Sequence, residues 1–248
     1  MPSGVRISHP PQIKERSEYI LLYCKHMKKA IIWILFLTIL GVGTYTYLSR
    51  PVDTSNQPVV EGTELEQPQV GKLYRIDKEQ SVVKFTIQED LRGAPFTVVG
   101  ETKDIRGDVT LSAGADPVLA LGTIVVDVRT FKTDSAQRDG AINRLIVQTG
   151  TEGHEYAMLT NAKASGLPAV ITEGAPFTFT VTGDLMLAGI NKPATFSVTA
   201  TQTESTLKGN MNSTLKRSDY KLVIPNIPFV ANVPDTFTIS ADFVAVAQ

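Results

Sequence analysis

Phe177-Thr178-Phe179-Thr180-Val181-Thr182-Gly183-Asp184-Leu185-Met186-Leu187 sets Phe177, Phe179, Val181, Leu185 and Leu187 on one parity and Thr178, Thr180, Thr182, Asp184 and Met186 on the other. Successive side chains of an extended strand point to opposite faces, so this two-residue period buries one face and wets the other. Gly189-Ile190-Asn191-Lys192-Pro193 reads as a turn, after which Phe196, Val198 and Ala200 alternate with Thr195, Ser197, Thr199 and Thr201. The two runs predict a β-hairpin.

Working outward, strand-like runs recur at 73–77, 82–87, 96–99, 105–111, 119–128, 207–215 and 236–246, with turn residues at Ala94-Pro95 and over 113–117. Many antiparallel strands, each with an apolar and a polar face, predict an all-β barrel or sandwich. One segment departs from the pattern. Ser135 or Asp134 is placed to cap a short helix in which Ile142, Leu145 and Ile146 share a face, ending near Gly150.

The N-terminus has a different character. Residues 30–48 form a 19-residue run without a charge; as a helix it would span roughly 28 Å, close to the ~30 Å hydrocarbon core of a bilayer. Lys25, Lys28 and Lys29 precede it and only Arg50 closely follows, so the positive-inside bias predicts a cytoplasmic N-terminus and an exported remainder. Two fates are open: a retained single-pass anchor, with Tyr45 and Tyr47 at the interface, or a signal peptide cleaved near Gly41 and Gly43, which would release a secreted domain. Met27 also offers an alternative start directly before the basic and apolar segments. The expected organisation is a basic segment over 1–29, a transmembrane or signal-anchor helix over 30–48, a flexible linker over 49–71 containing three prolines and four acids, and a folded domain over 72–248.

Composition excludes several function classes. Residues 1–29 carry six basic and two acidic residues, so the remainder of a chain of net charge −1 holds −5. An exported, mildly acidic domain lacks the clustered cations that nucleic acid requires. Cys24 is the sole cysteine and precedes the apolar run, leaving the outer domain without a disulfide or a thiol nucleophile. His154 is the only histidine beyond that run, which rules out a multi-histidine metal site and leaves a Ser-His-Asp triad with one candidate base. Glu89-Asp90 and Asp104 read as solubilising loop carboxylates, and no phosphate-binding or dinucleotide glycine motif is present. The expectation is a non-enzymatic domain with no cofactor and no metal.

Tyr74-Arg75-Ile76-Asp77, Ser81-Val82-Val83-Lys84-Phe85-Thr86-Ile87, Arg138-Asp139, Thr182-Gly183-Asp184-Leu185 with Gly189 to Pro193, and Arg217-Ser218-Asp219-Tyr220 occur in this order. Together they resemble the signposts of the YceI-like family, over about residues 72–248. Gln80 stands where that family often has histidine, and the stretch 148–159 is rich in Gly, Thr and Glu where the family is rich in Phe. The resemblance implies an antiparallel lipocalin-like β-barrel of about eight strands with one short helix, an interior that holds a long isoprenoid or similar amphiphile, and export in bacteria to the periplasm or envelope.

A hydrocarbon ligand offers no hydrogen bonds, so its site needs only a dry apolar tube with a few polar groups at the mouth. Strand parity turns Phe85, Ile87, Val109, Leu111, Phe179, Val181, Leu185, Phe196, Val198, Ile239 and Phe243 inward, where they line either such a tube or a solid core. Arg138 and Asp139 are candidates for holding a head group or for a structural ion pair, and Arg217 with Asp219 for stabilising a turn. The expected function is a binding or carrier module for an isoprenoid-type lipid, kept close to the membrane by the N-terminal helix. The other class is a solid-core β-domain that docks a protein of the envelope.

Overall fold

The computed structural model describes residues 27, 29, 31, 33–47, 50, 71–226 and 228–248. The basic segment before Met27, Cys24 and the linker over 51–70 lie outside the described residues. Two units are distinguished, dividing between Tyr47 and Leu48. In the first, residues 33–47 are helical, and the hydroxyls of Thr38 and Thr44 donate to the carbonyls of Leu35 and Leu40 one turn back. The expected span over 30–48 includes Ala30, Ile32 and Leu48, which are not among the described residues. No helix of the described residues is long and apolar enough to cross a membrane.

The second unit consists of β1 (Lys72–Ile76), β2 (Val82–Leu91), β3 (Ala94–Thr102), β4 (Ile105–Arg106), β5 (Asp108–Ser112), β6 (Gly114–Ala115), β7 (Val118–Leu121), β8 (Ile124–Asp127), helix α1 (Ala136–Ala141), β9 (Tyr156–Ser165), β10 (Val170–Ile171), β11 (Pro176–Leu187), β12 (Ile190–Gln202), β13 (Thr206–Lys216), β14 (Val230–Ala231) and β15 (Thr236–Ala247). Strands β1, β5, β7, β9, β11, β12, β13 and β15 pair in that order and β15 returns to β1, closing an eight-stranded antiparallel barrel. Closure removes the unpaired edges that would otherwise template aggregation. Strand β15 serves both ends of the wall. Its residues Ala245 to Ala247 pair with β1, and Thr238 to Asp242 pair with β2, which carries β3 beyond it.

The central hairpin follows its sequence pattern: Phe177, Phe179, Val181, Leu185 and Leu187 are buried, while Thr178 and Thr182 are exposed. Its turn is shorter than expected. Leu187 faces Ile190, so Ala188 and Gly189 alone make the bend, with φ of 48° and 69°, the conformation of a two-residue type I′ turn. Asn191, Lys192 and Pro193 therefore lie within β12. Pro193 is tolerated there because β13 pairs with β12 only from Ser197 onward, leaving this part of the strand with one neighbour. A similar correction applies at Ala94-Pro95, which belong to β3; Arg92 and Gly93, at φ 55° and 83°, form the turn.

Two expected strands are broken in concert. The run over 105–111 divides at Gly107 and the run over 119–128 at Gly122-Thr123, and the Gly122 amide donates to the Asp108 carbonyl at 2.9 Å. A Cβ at Gly107 would lie 3.2 Å from the Thr123 carbonyl oxygen and 3.3 Å from Ile124 Cα, so the missing side chain eases the close approach of the two backbones at the bend. Strand β9 has no counterpart in the sequence reading. Asn161 at φ 51° and a register shift opposite Gly183 form a bulge, which changes the inward parity from Ala157 and Leu159 to Ala162 and Ala164.

After β13, Ser218–Tyr220 form a single 3-10 turn that ends at Lys221 with φ 52°. Tyr220 is 2% exposed, and burial, with the charge of Asp219 adding to it, pushes its phenol up to about 12. An unfolded tyrosine ionises near ~10, so between those values the native state holds a proton the unfolded state has lost. Stability is full below pH ~10 and declines as pH rises toward ~12, by roughly 1.4 kcal/mol per unit. Denaturant midpoints measured across this range should fall more steeply for the wild type than for Tyr220→Phe; parallel slopes would refute the assignment.

Candidate functional site

The barrel is hollow in one half. Below the level of Val181, the inward residues Tyr74, Val109, Leu111, Phe177, Phe179, Val198, Ala200, Leu207 and Ala245 are buried against one another, with the rings of Phe177 and Phe179 stacked at 5.7 Å. Above it a cavity of about 720 Å³ opens, a volume in the range that holds one elongated or drug-sized ligand. Its wall is built by Val83, Phe85 and Ile87 of β2, Ile124 and Val126 of β8, Ala157 and Leu159 of β9, Leu185 and Leu187 of β11, Phe196 of β12, Met211 of β13, and Phe237, Ile239 and Ala241 of β15.

Five of the residues expected to line a lumen do so: Phe85, Ile87, Leu185, Phe196 and Ile239. Val109, Leu111, Phe179, Val181 and Val198 point inward as parity requires but belong to the packed half, so they do not border the cavity. Phe243 is half-buried against the same core, opposite Gly209, and also lies away from the cavity. Parity fixes the face of a strand, whereas the level along the barrel decides whether that face meets a neighbour or empty space.

Helix α1 and residues 222–226 and 228–233 form the mouth. The Ser135 hydroxyl accepts from the Arg138 amide and caps α1. The chain continues through a π-turn over Ile142–Ile146, which brings Ile142, Leu145 and Ile146 to the cavity. Asp139 and Arg138 have separate duties. The Asp139 carboxylate is buried and accepts from the Thr133 amide at 2.8 Å and the Thr133 hydroxyl at 2.7 Å, which ties the helix to the preceding loop. It does not pair with Arg138 and does not border the cavity; its ionic neighbour is Lys132 Nζ at 3.9 Å. Arg138 does border the cavity. Its guanidinium lies 5.3 Å above the Phe96 ring, donates to Asp134, and approaches Glu89 Oε1 at 3.5 Å.

Glu89 was not expected here. Strand β2 runs on to Leu91, and the parity of Phe85 and Ile87 carries Glu89 inward, where it is 9% exposed and borders the cavity. Extending the alternation by one step past Ile87 would have found it. Arg217 holds the far side of the mouth: Nε, Nη1 and Nη2 donate to the carbonyls of Pro234, Leu222 and Val233 at 2.9, 3.0 and 3.2 Å. Asp219 is exposed, and Asp235 takes the acidic role in this turn, accepting from the Ser218 hydroxyl and amide. Those bonds hold its carboxyl below the usual carboxylate range. Leu145 and Phe229, which border the cavity and are 43% and 73% exposed, leave an apolar rim at the opening.

A second group missed in the sequence lies beneath α1. Arg129 is buried and bidentate to Asp127, at 2.9 and 2.6 Å, and donates to the Tyr156 hydroxyl at 2.8 Å. The Asp127 contact raises the guanidinium pKa further. This network braces the loop from β8 to α1. Among the described residues no group of three or more His, Cys, Asp or Glu side chains is placed to hold a metal.

The family model described as the YceI-like domain matches residues 74–245. A polyisoprenoid binding domain from Saccharophagus degradans is similar in structure, with a TM-score of 0.55 and 16% identity over 71% of this chain and 98% of that one. BcnA of Burkholderia cenocepacia is similar at a TM-score of 0.50 and 19% identity, over 68% and 98% of the two chains. No curated protein matches the chain in sequence.

Proposed function

Because the chain belongs to the YceI-like domain family, we propose that its barrel binds a single isoprenoid-type lipid, without catalysis, with the hydrocarbon tail in the hollow half. The observation that carries this reading is the apolar cavity of about 720 Å³. The similarity to a domain named for polyisoprenoid binding supports it. Burying ~15 tail carbons at ~0.8 kcal/mol each is worth ~12 kcal/mol before the costs of association and ordering, enough for micromolar binding. A solid-core interaction module would need no lumen of this size.

The lipid comes from a membrane, and the exposed Phe229 and Leu145 at the rim favour work at a bilayer surface. In this reading the apolar run over 30–48 keeps the chain on the membrane, with the N-terminus cytoplasmic and the barrel on the periplasmic or outer side. Organic extraction of the full-length chain purified from its host, followed by mass spectrometry, should recover about one isoprenoid lipid per chain. Protein that is persistently free of lipid, and that takes none up from host membranes, would refute the proposal.

A further inference from the structure

Resting on the lipid-binding reading, we infer that Glu89 and Arg138 form a polar-end subsite that selects an isoprenoid with an uncharged hydroxyl head over one with a phosphate. Glu89 lies on the inward face of β2, between Ile87 and Leu91, all bordering the cavity. Among the described residues that border the cavity it is the only acid. A carboxylate that is 9% exposed in an apolar chamber is expensive to keep without a partner. The partner the structure supplies, Arg138 Nη2, stands at 3.5 Å, the outer limit of a hydrogen bond. Both groups keep hydrogen-bonding capacity: Glu89 has lone pairs to accept with, and Arg138 has further N–H donors.

The other two cations at the mouth do not compete for this role. The three nitrogens of Arg217 face the backbone carbonyls of Leu222, Val233 and Pro234. Arg92 is exposed to solvent, which screens its charge. What remains bordering the lumen is the Glu89–Arg138 pair, and the second partner of Arg138, Asp134, is 61% exposed and does not border the cavity. A hydroxyl satisfies the pair from both sides, donating to Glu89 and accepting from Arg138. A phosphate bound to Arg138 would bring its negative charge close to Glu89, where water is scarce and repulsion is strong. The ligand class assigned to this subsite is thus a polyprenol or another isoprenoid alcohol.

The test uses the full-length chain with farnesol and farnesyl monophosphate, which differ only at the head, and measures both affinities calorimetrically for the wild type and for Glu89→Gln. The wild type should bind the alcohol at least about tenfold more tightly. Glu89→Gln removes the negative charge at constant shape and leaves Arg138 with only the solvent-exposed Asp134 as its counter-charge, so the preference should vanish or reverse. Equal or tighter binding of the phosphate by the wild type overturns the inference, as does an unchanged ratio in Glu89→Gln, the result expected if the pair only pins α1 to β2. Should Glu89→Gln fail to fold, Arg138→Gln provides the same discrimination: the exclusion of phosphate should grow as Glu89 loses its counter-charge, and an unchanged ratio overturns the inference. Binding of neither compound by the wild type overturns the lipid-binding reading itself.

Discussion

Val181→Glu is expected to abolish folding. Val181 is 1% exposed and sits at the packed end of the lumen among Phe179, Val198 and Phe196. Introducing a carboxylate there removes it from water with no cation beside it, at an effective cost of several kcal/mol per ion, against a total stability of about 5–15 kcal/mol for a domain. The sequence pattern alone presents Val181 as a lumen residue whose replacement by glutamate blocks lipid uptake. The packing changes that expectation, since any loss of uptake would follow from loss of the fold. Circular dichroism of Val181→Glu should show no cooperative thermal transition. Val181→Ala should keep one, with a loss of roughly 1–3 kcal/mol for the deleted methyl groups. A natively folded Val181→Glu would mean that this level of the barrel is not solid.

Ala241→Phe is expected to do the reverse, keeping the fold and removing the ligand. Ala241 is 4% exposed, lies between Val83 of β2 and Met211 of β13 in the register, and borders the cavity. In a filled core a small-to-large change of this kind costs typically 1–3 kcal/mol in strain. Here the new ring has space to enter. It occupies the volume of about six ligand carbons, worth about 5 kcal/mol of burial at ~0.8 kcal/mol each, so affinity should fall on the order of a thousandfold. Lipid recovered from the purified variant, beside its unfolding midpoint, separates the two effects. Wild-type lipid content in a folded Ala241→Phe would show that the tail does not occupy the hollow half.

The contrast between these two positions shows what the primary structure conveys. Alternation over Phe177 to Leu187 identified the buried face correctly, because the side-chain period of a strand is a local property. The start of α1 was legible for the same reason, with the cap open between Ser135 and Asp134 until the structure assigns it to Ser135. Turn lengths were less so: Asn191, Lys192 and Pro193 are strong turn formers, yet Ala188 and Gly189 reverse the chain first and the proline is absorbed where β12 has one neighbour. Strand β9 escaped because its bulge at Asn161 breaks the alternation that would mark it. The division into filled and hollow halves is not local at all. Val181 and Leu185 lie two steps apart on one face of one strand, and only the strands that cross beside each of them decide which borders the cavity. Glu89 reads as a loop carboxylate in the sequence because the apolar alternation stops at Ile87, whereas β2 continues to Leu91.

The side chains packed beneath Val181 fill the part of the barrel that the cavity does not reach. On the proposed lipid-binding reading, such a packing favours a carrier over a conduit that threads molecules from one bilayer to another. A lipid held in the cavity would go in tail first and back out by the same door, leaving its head at the threshold throughout. Delivery would require the loaded body to turn that door from the donor toward the recipient.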